Sequence, residues 1–93
     1  MEKNQYNKEG NREGYWEYYY YNGGLNARGN YVDGLDEGYW EFYFYTGKIC
    51  SRGYYKNGRE VGYWEFFNNK GKLVRKDYLY LVDYYFIFIF VLT

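Results

Sequence analysis

Gly14-Tyr15-Trp16-Glu17-Tyr18 returns as Gly38-Tyr39-Trp40-Glu41-Phe42 and again as Gly62-Tyr63-Trp64-Glu65-Phe66, at a constant spacing of 24 residues. A fixed period of this length marks a repeat architecture, in which one supersecondary unit recurs along the chain. A second glycine follows in each copy (Gly23, Gly47, Gly71), then Leu25, Ile49 or Leu73, then a base, Arg28, Arg52 or Lys76. The first two copies run on to Tyr31 and Tyr55 and to Gly34 and Gly58, and Gly10 stands in phase ahead of them. The chain therefore divides into a partial copy (1–13), three copies (14–37, 38–61 and 62–81) and an apolar aromatic tail (82–93).

The 93 residues carry 17 Tyr, 7 Phe and 3 Trp, with 12 Gly and no Pro. A domain of this size buries only about 60% of its unfolded surface, so the rings must supply its core. Aromatic side chains favour the pleated surface of strands. The formal charge is zero but unevenly spread: residues 14–37 sum to −3 and residues 38–61 to +2. A neutral chain exerts no general attraction on phosphate, which argues against nucleic acid as a partner. One Cys and no His leave neither an internal disulfide nor the usual zinc sets. Met1-Glu2-Lys3-Asn4-Gln5 has no apolar core of an export signal, so a cytoplasmic location is expected.

Each aromatic run meets a turn dipeptide: Asn22-Gly23, Thr46-Gly47 and Lys70-Gly71. Asn-Gly is the strongest short hairpin signal, because a two-residue type I′ loop needs positive φ at both central positions. Such loops make facing residue numbers sum to 45, 93 and 141. Glu17 then faces Arg28, Glu41 faces Arg52 and Glu65 faces Lys76, as expected ion pairs. Trp16 faces Gly29 and Trp40 faces Gly53, a large ring beside a missing side chain. The third copy matches less well, with Trp64 facing Asp77 and Phe66 facing Arg75. Alternation puts Trp16, Tyr18, Tyr20, Trp40, Phe42, Phe44, Trp64 and Phe66 on one face, expected to be buried, and the Glu residues on the other. The connections around Gly34 and Gly58 read as turns of open length. The expected fold is all-β: an antiparallel meander of β-hairpin repeats in an open, elongated sheet.

Gly38-Tyr39-Trp40-Glu41-Phe42-Tyr43, then Gly47-Lys48-Ile49, then Tyr54-Tyr55-Lys56-Asn57-Gly58, resembles the MORN (membrane occupation and recognition nexus) repeat, in the bacterial variant labelled antitoxin-like. The resemblance covers about residues 6–80. It implies an elongated sheet of hairpins used for protein association or, in some members, for phospholipid contact. It implies no catalytic residues. No cofactor is expected. Its structural positions here are Gly14, Trp16, Gly23, Gly38, Trp40, Gly47, Gly62, Trp64 and Gly71.

Glu17, Glu41 and Glu65 form a row that could serve acid–base chemistry or metal binding, but each has a facing base and reads as half of an ion pair. Cys50 has no His to activate it. The glycines sit at hairpin turns, not between a strand and a helix, so they do not form a phosphate loop. Neither a catalytic nor a metal residue is expected. Tyr15, Tyr19, Tyr39, Tyr43 and Tyr63 make an aromatic row that serves either as an interaction surface or as internal packing. Residues 48–77 carry a net +5, and Lys70, Lys72, Arg75 and Lys76 are the candidate contacts to anionic lipid. The tail reads three ways: a cap on the last hairpin, a lipid contact, or the start of a longer segment. The functional expectation is a non-enzymatic scaffold for protein–protein interaction or self-association, with a peripheral phospholipid-binding module as the alternative.

Overall fold

The computed structural model describes residues 2–82 and 85–87. Eight strands follow one another: β1 (Gln5–Tyr6), β2 (Arg12–Tyr19), β3 (Leu25–Val32), β4 (Leu35–Tyr43), β5 (Ile49–Lys56), β6 (Arg59–Phe67), β7 (Leu73–Val82) and β8 (Tyr85–Ile87). They pair in chain order and antiparallel throughout, as one open sheet. The radius of gyration, 14.9 Å, exceeds the roughly 12 Å of a compact chain of this length. One dimension is only 18 Å, that of a single layer bearing side chains on both faces.

The expected pairs within hairpins occur: Trp16 with Gly29, Glu17 with Arg28 and Tyr18 with Ala27, and likewise Trp40 with Gly53, Glu41 with Arg52 and Phe42 with Ser51. The loops that produce them differ from expectation. Tyr20 N–H donates to Gly24 O at 2.8 Å and Gly23 N–H to Tyr20 O at 3.0 Å, so Tyr21-Asn22-Gly23 is a three-residue loop with Gly23 at φ 85°. The same loop joins β4 to β5 and β6 to β7. A type I turn closed by a left-handed glycine has this form. The odd residue is offset by a bulge that leaves Asn26, Cys50 and Val74 unpaired, which restores the expected pairing further out. The two-residue turns lie instead between copies. Asp33-Gly34 (φ 51° and 85°) joins Val32 to Leu35, and Asn57-Gly58 (φ 51° and 82°) joins Lys56 to Arg59. Where the series would place another such glycine stands Val82, and β7 runs on through it to pair with β8. Of the tail, residues 83–84 and 88–93 lie outside the described residues, and so do most of the expectations attached to it.

Between copies the ladder is interrupted. Arg28 pairs with Glu41 and Asn30 with Glu37, so Gly29 alone lies against Gly38, Tyr39 and Trp40. Gly53 lies likewise against Gly62, Tyr63 and Trp64. Gly38 (φ 80°) and Gly62 (φ 69°) supply the left-handed backbone this bend needs, with open space where a Cβ would go. The bend carries Trp40 over Gly29 and Trp64 over Gly53: a Cβ on either glycine would lie 2.0 or 2.1 Å from the ring. This corrects the expected partnership. Trp40 and Trp64 each cover the glycine of the preceding hairpin, and Trp40 does not cover Gly53, its partner within its own hairpin. The indole N–H completes the contact, from Trp40 to Asn30 O and from Trp64 to Tyr54 O at 3.0 Å each, and from Trp16 to Gln5 O at 3.1 Å.

The tryptophan face is the buried one. Trp16, Trp40 and Trp64 are 6%, 2% and 1% exposed. Edge-to-face rings run across the strands in the order Tyr6, Trp16, Tyr31, Trp40, Tyr55 and Trp64, with centroids 5.1 to 6.2 Å apart. Phe42 lies between Trp40 and Trp64, stacked at 5.9 and 6.3 Å. Such pairs add about 0.5–1.5 kcal/mol each beyond area burial, so a single layer closes its core mainly with rings, with Ala27 and Ser51 as the small residues buried among them.

Candidate interaction surface

The opposite face carries the charged row and the five sequence-expected tyrosines. Arg28 lies between Glu17 and Glu41 in the ladder, and Arg52 between Glu41 and Glu65. Each glutamate takes its base from the preceding copy: Arg28 Nε donates to Glu41 Oε1 at 2.6 Å, Arg52 Nε to Glu65 Oε1 at 2.7 Å, and Lys3 Nζ to Glu17 Oε1 at 2.7 Å. The within-hairpin ion pairs expected from the sequence are thus replaced by pairs that tie copy to copy.

The five expected tyrosines each donate a hydroxyl to the glutamate of their own strand, as residues two apart on one face can. Tyr15 and Tyr19 bond Glu17, Tyr39 and Tyr43 bond Glu41 at 2.8 and 2.6 Å, and Tyr63 bonds Glu65 at 2.8 Å. Their hydroxyls are engaged, while the rings of Tyr19 and Tyr39 remain exposed and those of Tyr15, Tyr43 and Tyr63 are half-buried. Two further rings belong to this surface and escaped the sequence reading: Tyr54 packs on Tyr39 at 5.4 Å and Tyr78 on Tyr63 at 4.9 Å. Their signal was present, since Tyr54 and Tyr78 hold the same repeat position as Asn30.

Hydrogen bonds set the electrostatics. Lys3, Tyr19 and Tyr15 hold the Glu17 carboxyl down at about 2. At Glu41 burial opposes ionisation, but bonds from Tyr43, Arg28 and Tyr39 outweigh it and leave the pKa below the ordinary carboxylate value. Arg52 and Tyr63 lower that of Glu65. Burial, reinforced by the bond to Glu41, pushes the Tyr39 and Tyr43 phenols up to about 12.

The four candidate lipid contacts are all exposed but divided between faces. Arg75 lies over the Phe66 ring, 4.0 Å from its centroid, and forms an ion pair with Asp77 at 3.4 Å, whereas Lys76 stands opposite Glu65 in the strand register, on the other face. Lys70 belongs to the Asn69–Gly71 loop and Lys72 follows it. Cys50 is a half-buried free thiol at a bulge. Among the described residues, no group of three His, Cys, Asp or Glu side chains is placed to hold a metal ion. No helix of the described residues is long and apolar enough to cross a membrane.

Comparison with protein-family models, with curated proteins and with solved structures finds no match to this chain.

Proposed function

We propose that the chain is a non-enzymatic, MORN-like scaffold module that mediates protein–protein association, including association with a second copy of itself, through its tyrosine face. The observation that carries this reading is the row of exposed rings, Tyr19, Tyr39, Tyr54 and Tyr78, set beside arginines and glutamates on one face of the sheet. Tyr and Arg are enriched at protein interfaces, and Tyr offers a large amphipathic contact at low entropic cost. Sedimentation velocity over a range of concentrations tests it, with Tyr19, Tyr39, Tyr54 and Tyr78 changed together to Ser. The native chain should associate as concentration rises, and the variant should remain a folded monomer by circular dichroism. Native chain that sediments as the same monomer throughout removes self-association from the reading.

A second reading, a peripheral phospholipid-binding module, is supported by the exposure of Lys70, Lys72, Arg75 and Lys76 and weakened by their division between faces. Salt-sensitive flotation with anionic vesicles, absent with neutral ones, would favour it. No flotation at low salt removes it.

A further inference from the structure

The first full repeat differs from the next two at one position of the tyrosine face. In repeats two and three the residue opposite the Gly-Tyr tyrosine is itself Tyr: Tyr54 pairs with Tyr39 and Tyr78 with Tyr63, and each ring rests on its partner at 5.4 and 4.9 Å. In repeat one the position is Asn30, opposite Tyr15, and no ring fills it. An open slot of about 290 Å³ results, walled by Tyr15 and Tyr39, floored by Gly29 and edged by the Arg28–Glu41 ion pair. That volume is near the lower limit of the ~300–1,000 Å³ usual for ligand sites, so it suits one ring and not a larger molecule.

We infer that this slot is a binding site for a phenol ring, a tyrosine side chain presented by a partner protein, which takes the place that Tyr54 and Tyr78 take in the following repeats. The inference deepens the association reading and rests on it. The chain itself shows the fit: in repeat two the same Tyr, Arg, Gly and Glu positions hold Tyr39, Arg52, Gly53 and Glu65, and the Tyr54 ring rests on Tyr39; in repeat three Tyr78 rests on Tyr63, with Lys76 and Asp77 in place of the Arg and Gly. The ring faces of Tyr15 and Tyr39 provide offset or edge contacts, and the guanidinium of Arg28 adds a cation beside them.

The probe is N-acetyltyrosinamide, titrated into the full chain and followed by amide and ring chemical shifts, with N-acetylleucinamide as the comparison. Saturable shifts at Tyr15, Arg28 and Tyr39 with the tyrosine probe, and none with the leucine one, are expected. Asn30→Tyr should retain the native spectrum, since two repeats already carry that residue, and should weaken probe binding at least about tenfold. Tyr15→Ser, which removes one wall, should weaken it as well. Equal binding by Asn30→Tyr and native chain, or no saturable shift in native chain, overturns the inference. Sedimentation reads association without the probe, so either conclusion can fail while the other stands.

Discussion

Gly29→Ala adds a single methyl group, yet its Cβ would lie 2.0 Å from Cδ2 of Trp40. The ring has little room to yield, being 2% exposed, bonded through Nε1 to Asn30 O at 3.0 Å, and packed by Tyr31, Phe42 and Tyr55. Overpacking of this kind costs typically about 1–3 kcal/mol and occasionally more, and we expect the upper end, about 3 kcal/mol. A chain of this length has about 5–14 kcal/mol of total stability, so the variant should fold with a clearly lowered midpoint. Trp40→Ala alone should cost about 3–5 kcal/mol. The deciding measurement is the double variant. With the ring gone, Gly29→Ala should cost under about 0.5 kcal/mol or even stabilise, because Gly29 has no positive φ and alanine lowers the entropy of the unfolded chain. The cycle then yields a coupling of about 2–3 kcal/mol, near the top of the range for residues in contact. Urea denaturation followed by far-ultraviolet circular dichroism measures all four proteins without depending on tryptophan emission. Gly29→Ala combined with Trp16→Phe serves as the comparison and should be additive. Additivity with Trp40, or coupling to Trp16, would refute the inter-repeat assignment.

Gly38→Ala has open space around its new Cβ but keeps φ near 80°, so it should cost only the left-handed backbone strain of about 1–2 kcal/mol, less than Gly29→Ala in the same assay. Glu41→Gln should cost under about 1 kcal/mol, because Arg28 is exposed and such pairs are screened; a loss larger than that of Trp40→Ala would show that the charged row, not the ring row, holds the sheet. The lowered carboxyls of Glu17, Glu41 and Glu65 contribute stability above their unfolded value of 4.5 and lose it as pH falls, for Glu17 through about 2. Asp36, raised by burial, works the other way. The urea midpoint should therefore fall on balance between pH 4.5 and 2, and a flat profile there counts against the hydrogen-bonded row. At high pH the phenols of Tyr39, Tyr43 and Tyr55, pushed up to about 12, contribute stability below their unfolded value of 10.0 and lose it as pH rises through 12. Tyrosinate absorbance should show a late-titrating set, whereas titration of every tyrosine at 10 would contradict the burial.

The hairpin meander was legible because the period and the paired residues supported each other: Trp16 with Gly29 and Glu17 with Arg28 could be placed opposite by number alone. Loop chemistry was not legible in the same way. A three-residue loop at Tyr21-Asn22-Gly23 with a bulge at Asn26 gives the same outer pairs as a two-residue loop with none. Register arithmetic cannot separate the two. Nor does pairing say which neighbour a side chain turns towards, since every inner strand has two. Arg28 stands between Glu17 and Glu41 in the ladder, and the side-chain bond goes to Glu41. The backbone bend at Gly38 decides where the Trp40 ring goes, and such a bend has no hydrophobic period to reveal it.

The placement of Trp40 on Gly29 and of Trp64 on Gly53 has a consequence for how this chain can change length. Both joins between full copies use the same parts: a ring from the later copy, a glycine and an arginine from the earlier one. Removal of residues 38–61 would bring Glu37 next to Gly62, leaving Trp64 to settle on Gly29 and Glu65 on Arg28, so the new junction would have the chemistry of the old ones. Insertion of another such unit would be equally well matched, as nearest-neighbour stacking in repeat proteins allows. Loss or gain of a 24-residue unit would therefore give shorter or longer sheets that fold by the same contacts, so the length of this sheet is set by the number of copies and not by any one of them.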